Sequence, residues 1–170
     1  MATERVFLDH GFGPFFDEDS RILILGSFPS VKSREQGFFY GHPRNRFWAV
    51  LAGVFACDVP QTLEEKTDFL HQYGVALYDV IESCSIVGSS DSSIRDVVPA
   101  DLGPILRAGK IGSRIYTNGQ KASELYRRYL LPVTGIPAAA LPSTSPANAA
   151  MSLAQLTERW REVLCRGTER

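Results

Sequence analysis

A short apolar run near the start of the chain, residues 22–25, constrains the fold more than any other stretch. It reads Ile-Leu-Ile-Leu, and an apolar run without alternation is typical of a strand buried on both faces. The run ends at Gly26, and a loop rich in glycine, proline and aromatic residues follows it. Open α/β sheets bind ligands where strands end in such loops, so we predict a binding site after Gly26. The alternative is that Gly26 and Pro29 only form a turn and that the aromatic residues belong to the core.

Segments with strand and helix patterns alternate along the rest of the chain. Amphipathic helices are predicted between and after four strands, which we place within residues 21–25, 75–81, 115–117 and 137–141. This alternation predicts an α/β fold, a three-layer α/β/α sandwich with a central four-stranded parallel sheet. The chain has no internal repeat or linker, so residues 1–170 are predicted to form a single domain.

Three other segments have predicted local structures. Thr62 and Glu65 form a capping box, which predicts a helix over residues 63–72. Residues 1–20 are predicted to be a loop or short hairpin whose aromatic residues cover a sheet edge. The serine-rich residues 82–98 are predicted to be a long loop near the binding site.

Composition and charge narrow the possible functions. The net charge of −1 argues against a strongly basic nucleic-acid coat protein but permits a local basic patch. The three cysteines, Cys57, Cys84 and Cys165, are too few and too widely spaced for a four-thiolate cluster, which predicts free thiols in a reducing compartment. The sequence has neither a membrane-length apolar run, nor a leader, nor a glycine-rich nucleotide motif. We therefore expect a cytoplasmic protein that contacts no membrane and uses no metal or cofactor.

Polar residues follow three of the predicted strands, at residues 26–30, at Asn118 and at residues 143–148. All strands of a parallel sheet end at the same edge, so these residues are expected to line one cleft. The Asn118 amide places a donor beside an acceptor and so complements the N–H and C=O edge of uracil or hypoxanthine. Tyr40 is a candidate to stack on such a flat base. The alternative for Asn118 is a helix N-cap.

The same cleft lacks the usual residues of a hydrolase. There is no Gly-x-Ser-x-Gly elbow, and no Asp or Glu lies in these motifs as an obvious base. Ser27 has no partner nearby in the sequence to activate it. A small-molecule hydrolase that uses Ser27 or Ser145 therefore remains only as an alternative.

Three motifs resemble those of the uracil-DNA glycosylase superfamily. They are Gly-Ser-Phe-Pro-Ser at residues 26–30, Ser-Thr-Ser-Pro-Ala-Asn at residues 143–148, and Gly-Phe-Phe-Tyr-Gly-His-Pro-Arg-Asn-Arg-Phe-Trp at residues 37–48. The third motif is similar to a block of the mismatch-specific uracil/thymine glycosylases, and the combination resembles the hypoxanthine-DNA glycosylase branch most. The resemblance covers roughly residues 20–164.

The chain departs from the mismatch-specific relatives at two positions. Phe28 stands where those relatives carry a catalytic Asn, and Ser143 stands where the second motif usually has His or Asn. The hypoxanthine branch also lacks the first-motif Asn, and by that resemblance Asn45 is the candidate catalytic residue. Asn45 is also a candidate cap for the helix that begins near Arg46. His42 is either an assistant in catalysis or a structural residue before Pro43.

The resemblance implies an enzyme that flips hypoxanthine or uracil out of DNA and hydrolyses its N-glycosidic bond. The expected product is an abasic site without strand cleavage, and the expected state is a monomer. Base binding is assigned to Gly26, Ser27, Phe28, Tyr40, Asn118 and Ser143. DNA contact is assigned to Lys32, Arg44, Ser145, Pro146, Ala147 and Asn148, with Arg34 and Arg46 as further candidates to bind phosphate. The alternative is a non-catalytic nucleic-acid or nucleobase binder on the same fold.

Overall fold

The computed structural model describes residues 4–88 and 90–165, which form seven strands and seven α-helices in chain order. The strands are β1 (Arg5–Asp9), β2 (Ile22–Gly26), β3 (Val75–Asp79), β4 (Ile81–Val87), β5 (Arg95–Pro99), β6 (Ile115–Asn118) and β7 (Ala139–Leu141). The helices are α1 (Val31–Gln36), α2 (Phe47–Phe55), α3 (Leu63–Tyr73), α4 (Gly103–Ala108), α5 (Gln120–Leu125), α6 (Leu131–Thr134) and α7 (Leu153–Cys165). A π-helical segment, Tyr126–Leu130, joins α5 to α6.

The central sheet contains four parallel strands in the order β3-β2-β6-β7. All five residues of β2 are buried, and β2 is a central strand that pairs with β3 on one side and with β6 on the other. A fully buried leucine or isoleucine side chain contributes about 1.5–3 kcal/mol to folding, so β2 is a main part of the core. The predicted four-stranded parallel sheet flanked by helices is confirmed.

The carboxyl ends of these four strands lie side by side. Gly26 at the end of β2 is opposite Asp79 at the end of β3, and Asn118 of β6 is opposite Leu141 of β7. Neighbouring strands are about 4.8 Å apart, so the row of four ends extends over roughly 14 Å. The candidate functional site lies along this row of strand ends.

The predicted loop at residues 82–98 is wrong. β4 and β5 pair with each other and with β1 in an antiparallel sheet of order β1-β4-β5. The serines that suggest a loop are accommodated inside this sheet by hydrogen bonds. Ser83 donates to Asp9 Oδ1 over 2.7 Å, and the Ser85 hydroxyl accepts from Arg5 Nη1 over 3.2 Å.

The N-terminal segment is partly as expected. The sequence does not predict β1 as a sheet strand, because its pairing partner β4 lies in the segment predicted to be a loop. The segment after β1 does cover a sheet edge, since Phe15 forms an antiparallel bridge with Leu77 on edge strand β3. The Thr62 cap on α3 is confirmed, because the Thr62 hydroxyl accepts from Glu65 N over 3.1 Å. None of the helices within the described ranges has the length and apolar character needed to cross a membrane.

Helix α7 is fixed to the loop after β7 by Trp160. Its side chain is fully buried, and its Nε1 donates to the Pro142 carbonyl over 2.9 Å. Its ring also packs edge-on against Phe47 of α2, with 5.9 Å between ring centroids. The last helix therefore holds the start of the loop that contains Ser143.

We expect Trp160→Phe to lower the free energy of unfolding by about 1–3 kcal/mol, because it removes this hydrogen bond and leaves a space in the core. Trp48→Phe is the matched control, since Trp48 is buried but its Nε1 has no hydrogen-bond partner within the described residues. Urea unfolding measures both changes. Equal decreases for the two variants would contradict a role for the hydrogen bond to Pro142.

Candidate active site

A cavity of about 190 Å³ lies at the carboxyl edge of the parallel sheet. It is lined by residues from the ends of β2, β3 and β6, from the loop after β7, and from the segment between β2 and α2. Every residue predicted to bind the base or to act in catalysis is in this lining: Gly26, Ser27, Phe28, Tyr40, Asn45, Asn118 and Ser143. Of the residues assigned to DNA contact, only Ser145 also lines the cavity.

Thr144 connects the two asparagines of the cavity. Its hydroxyl donates to Asn45 Oδ1 over 2.8 Å and accepts from Asn118 Nδ2 over 3.0 Å. Its backbone N–H donates to Asn118 Oδ1 over 3.1 Å, so Thr144 bonds both ends of the Asn118 amide. Thr144 is completely buried, which makes these bonds rigid and costly to lose.

The two cap hypotheses have different outcomes. Asn45 Oδ1 accepts from Phe47 N over 3.0 Å, so Asn45 does bond the first turn of α2. Its Oδ1 therefore has two donors, whereas its Nδ2 has no partner within the described part of the chain. The cap hypothesis for Asn118 is wrong, because its side chain bonds Thr144 and makes no cap hydrogen bond to α5.

Tyr40 is held in an unusual position. Its ring stacks on Phe47 with 3.9 Å between centroids, and its backbone has a left-handed φ of 53°. Such strain in a non-glycine residue is typical of functional sites. Its buried hydroxyl makes no hydrogen bond of good geometry with the described residues. Burial, and next the charge of Asp79, raise the pKa of Tyr40, while its contact with Asn118 lowers it by less, so the hydroxyl keeps its proton.

Two carboxylates that belong to none of the sequence motifs, Asp79 and Asp91, also line the cavity. Asp79 ends β3 as Gly26 ends β2, so the rule of converging strand ends could have found it. Asp91 follows β4, in the segment predicted to be a loop. Nothing in its position in the sequence predicts that it lines the cavity.

Asp79 is the more buried of the two carboxylates. Its Oδ2 lies 2.7 Å from Nε2 of His10, and both residues are almost fully buried. A Cβ atom at position 26 would stand 2.4 Å from Asp79 Oδ1 and 3.4 Å from the Tyr40 hydroxyl. Position 26 must therefore be glycine, because a carboxylate and a phenol lie directly over its backbone.

Asp91 approaches the first motif from the other sheet. The Ser27 hydroxyl donates to Asp91 Oδ1 over 3.2 Å. Asp91 is exposed as a residue, but the partial burial of its carboxylate raises its pKa, and the hydrogen bond from Ser27 opposes that rise. Within the described structure Ser27 is bonded to a carboxylate and to no histidine, which is not the arrangement of a serine nucleophile.

The loop at residues 143–148 is shaped by its own hydrogen bonds and by one arginine. Asn148 Nδ2 donates to the Ser143 carbonyl over 3.0 Å. Arg46 donates from Nη1 and Nη2 to the carbonyls of Met151, Ser145 and Asn148, over 2.6, 3.2 and 2.7 Å. Pro146 and Ala147 are left exposed at the tip of the loop.

The basic residues divide into two groups. The prediction that Arg46 binds phosphate is wrong, because both Nη atoms are used inside the protein. Lys32 and Arg44 are exposed, and Lys32 lies 3.6 Å from Glu35 on the surface of α1. Arg34 is partly buried, and its guanidinium carbon lies 6.0 Å from the centre of the Phe28 ring.

His42 lines the cavity and also stabilises the turn before α2. Its Nδ1 accepts a hydrogen bond from Arg44 N over 3.1 Å, so the ring contributes to the backbone conformation next to Asn45. This contact favours the structural interpretation of His42.

We expect Thr144→Val to lower the free energy of unfolding by about 1–3 kcal/mol, because two half-buried amides each lose a hydrogen bond to the buried hydroxyl. Thr144→Ser, which keeps the hydroxyl, should cost less, and urea unfolding separates the two. If valine and serine were equally tolerated, the hydroxyl would have no structural role.

Comparison with known proteins agrees with this geometry. A family model described as the uracil DNA glycosylase superfamily matches residues 14–164. A hypoxanthine DNA glycosylase of Methanosarcina acetivorans is 33% identical over 157 residues, which cover 92% of this chain and 98% of the relative. A second hypoxanthine DNA glycosylase, from Methanosarcina barkeri, is 30% identical with the same coverage of both chains.

A solved structure also matches the fold. It is the solution NMR structure of a Methanosarcina acetivorans protein assigned as a uracil DNA glycosylase, with a TM-score of 0.72 and 32% identity over 93% of this chain and 99% of the other. The resemblance carried by the three motifs is confirmed, and this chain belongs to the uracil DNA glycosylase superfamily.

Proposed function

We propose that this protein is a monofunctional DNA glycosylase that removes hypoxanthine from DNA, with uracil as a second substrate. It hydrolyses the N-glycosidic bond and leaves an abasic site, the first step of base excision repair. The observation that carries the proposal is that Asn45, Tyr40 and Asn118 line one cavity at the strand ends. The names of the two Methanosarcina relatives support the choice of hypoxanthine.

The base must leave the duplex before it can enter the cavity. Unstacking costs a few kcal/mol, and it costs least at a mismatch, which favours deaminated bases. We assign to one loop the role of filling the space that the base leaves in the duplex. This loop contains Ser145, Pro146, Ala147 and Asn148. Because Pro146 and Ala147 are exposed on a loop that is already hydrogen-bonded, they are suited to this role.

The cavity floor suits the edge of a lactam base. Asp79 Oδ1 is an acceptor, and the unpartnered Tyr40 hydroxyl beside it is a donor. Together they complement an N–H next to a C=O, which hypoxanthine and uracil present and adenine does not. Asn118 has one amide hydrogen left after its bond to Thr144, so it is a further donor to the base. Phe28 is the candidate to contact the base plane, because the Tyr40 ring stacks on Phe47 and its hydroxyl is assigned to the edge of the base.

The chemical step breaks the bond between the sugar and the base. The electron pair of that bond goes to the base, and the sugar becomes an oxocarbenium-like cation. Water adds to this cation and loses a proton, and the base anion takes up a proton, so the products are the abasic sugar and the neutral base. The backbone N–H groups of Ser27 and Phe28, at the cavity wall, are the candidates to stabilise the developing anion. Asn45 is a poor base, and its Oδ1 already has two donors, so we assign its Nδ2 to positioning water or sugar at the reacting carbon.

The protein is proposed to act as a cytoplasmic monomer. Cys57 and Cys84 carry free thiols, which suits a reducing compartment. DNA containing a deaminated base is the proposed partner.

Asn45→Ala should lower the single-turnover rate of hypoxanthine excision by about 100- to 1,000-fold, because it removes a group that acts on the reacting atoms. The assay is alkali cleavage of oligonucleotides that contain hypoxanthine, uracil, xanthine or adenine, with duplex affinity followed by fluorescence anisotropy. Affinity should change little.

Thr62→Ala is the matched control, because it removes a helix cap from α3 without touching the cavity. It should cost about 1 kcal/mol of stability and leave the rate unchanged. A wild type that forms no abasic product from any of these oligonucleotides would favour the binding-protein alternative. Labelling of Ser27 or Ser145 by a fluorophosphonate would favour the hydrolase.

Arg44→Ala and Lys32→Ala should weaken binding to all duplexes alike. Each should also reduce the salt dependence of log K by about 0.9 for every phosphate that the variant no longer neutralises. Lys110→Ala is the control, since Lys110 is exposed and paired with Asp19 at the opposite edge of the sheet, near the start of β2. If the salt dependence of log K is unchanged in Arg44→Ala and in Lys32→Ala, these two residues do not bind phosphate.

A further inference from the structure

His10 is almost fully buried, and it lies behind the cavity and not in its lining. It comes directly after β1 and before residue 14, where the match to the family model begins. Its backbone N–H donates to the Glu82 carbonyl over 2.8 Å, which ties it to the antiparallel sheet. The family resemblance therefore provides no role for this residue.

Aromatic rings enclose the imidazole on several sides. The centroids of Phe12 and Tyr78 each lie 4.5 Å from that of His10, and those of Phe28 and Phe39 lie 6.1 and 6.2 Å away. These rings hold the imidazole in one orientation and exclude water from it. One of them, Phe28, is the residue that stands in the first motif in place of the usual Asn.

The two ring nitrogens of His10 have different surroundings. Nε2 lies 2.7 Å from Asp79 Oδ2, whereas Nδ1 is buried without a hydrogen-bond partner in the described structure. A proton on Nδ1 would be a buried donor with no acceptor, which is costly. The hydrogen bond between the two residues is therefore donated by Nε2 to Asp79.

This hydrogen bond decides where the other oxygen of Asp79 points. With Oδ2 bonded to His10, Oδ1 is directed over Gly26 into the cavity, beside the Tyr40 hydroxyl. An Asp side chain without a partner on Oδ2 could rotate. The acceptor of the cavity floor would then no longer have one fixed position.

We propose that His10 is a positioning residue for base selection, which holds Asp79 so that Oδ1 accepts the N–H of a lactam base. The proposal rests on the function proposed above. His10 touches neither base nor sugar and acts only through Asp79. Bases whose N–H is replaced by a methyl group, or by a lone pair as in adenine, lose this hydrogen bond and are selected against.

The test uses two substitutions of His10 in the full chain. His10→Phe fills the aromatic cage without a donor, and His10→Gln keeps an N–H near the position of Nε2. We expect His10→Phe to lower kcat/KM for hypoxanthine by about 10- to 100-fold, the effect of removing one hydrogen bond to a charged group. His10→Gln should stay within about threefold of the wild type by the same argument.

The selectivity for hypoxanthine over 1-methylhypoxanthine distinguishes positioning from a purely structural role. His10→Phe should lower this selectivity, whereas a smaller amount of folded protein would reduce both rates equally. His71→Phe is the matched control, because His71 forms an exposed pair with Asp17 that lies outside the cavity. The proposal is overturned if selectivity is unchanged in His10→Phe, or if His10→Gln is as impaired as His10→Phe.

Asp79→Asn keeps the test decisive if His10→Phe does not fold. Its selectivity should fall as expected for His10→Phe, and the double variant Asp79→Asn with His10→Leu, which has no donor at position 10, should be no worse than Asp79→Asn alone, because both residues act through one hydrogen bond. Additive effects would overturn the proposal. If the wild type excises no hypoxanthine, the proposed function is overturned instead. The wild type is assayed before any variant, so the two failures are distinguishable.

Discussion

Parallel pairing of β2 between β3 and β6 is the constraint on which the rest of the structure depends. It places Asp79, Gly26 and Asn118 at one edge, although 92 residues of numbering separate Gly26 from Asn118. Because β2 is buried on both faces, a shift in its register would expose apolar side chains and cost several kcal/mol. The energy of the core therefore fixes the relative positions of polar groups that contribute little to it. The same strands therefore contribute to the core and to the cavity: their buried side chains stabilise the fold, and their carboxyl ends carry the polar groups of the cavity.

The polar groups at this edge are connected and do not act singly. Thr144 bonds Asn45 and Asn118, and Asp79 is bonded by His10. Each of these links orients an amide or carboxylate in a place where water cannot easily do so. A cavity with fixed dipoles needs little reorganisation when charge develops in the bound molecule. This explains how a site without the usual first-motif Asn can still present a defined set of donors and acceptors.

The central sheet is predictable because its strands carry uninterrupted apolar runs, and the converging strand ends follow from that. The catalytic role predicted for Asn45 comes from a motif and not from physical reasoning on single residues. Thr144 escapes prediction because a buried threonine looks like any other small residue until its partners are known. The antiparallel sheet escapes it for a related reason: Ser83 and Ser85 are typical of loops, and only their contacts with Asp9 and Arg5 make them compatible with a strand. His10 and Asp91 depend on that sheet, so they cannot be placed without it.

Arg46 has a consequence that extends beyond the loop it holds. It follows Asn45 directly in the chain, and its backbone N–H also donates to the Thr144 carbonyl over 3.0 Å. The dipeptide Asn45-Arg46 thus connects the cavity with the loop at residues 143–148. Because its carbonyls are already hydrogen-bonded to Arg46, this loop would lose little chain entropy on contact with a partner, so more of the contact energy would be available for binding. Because Arg46 also neighbours Asn45, a displacement of residues 145–148 would be transmitted to the Asn45 amide through a single arginine.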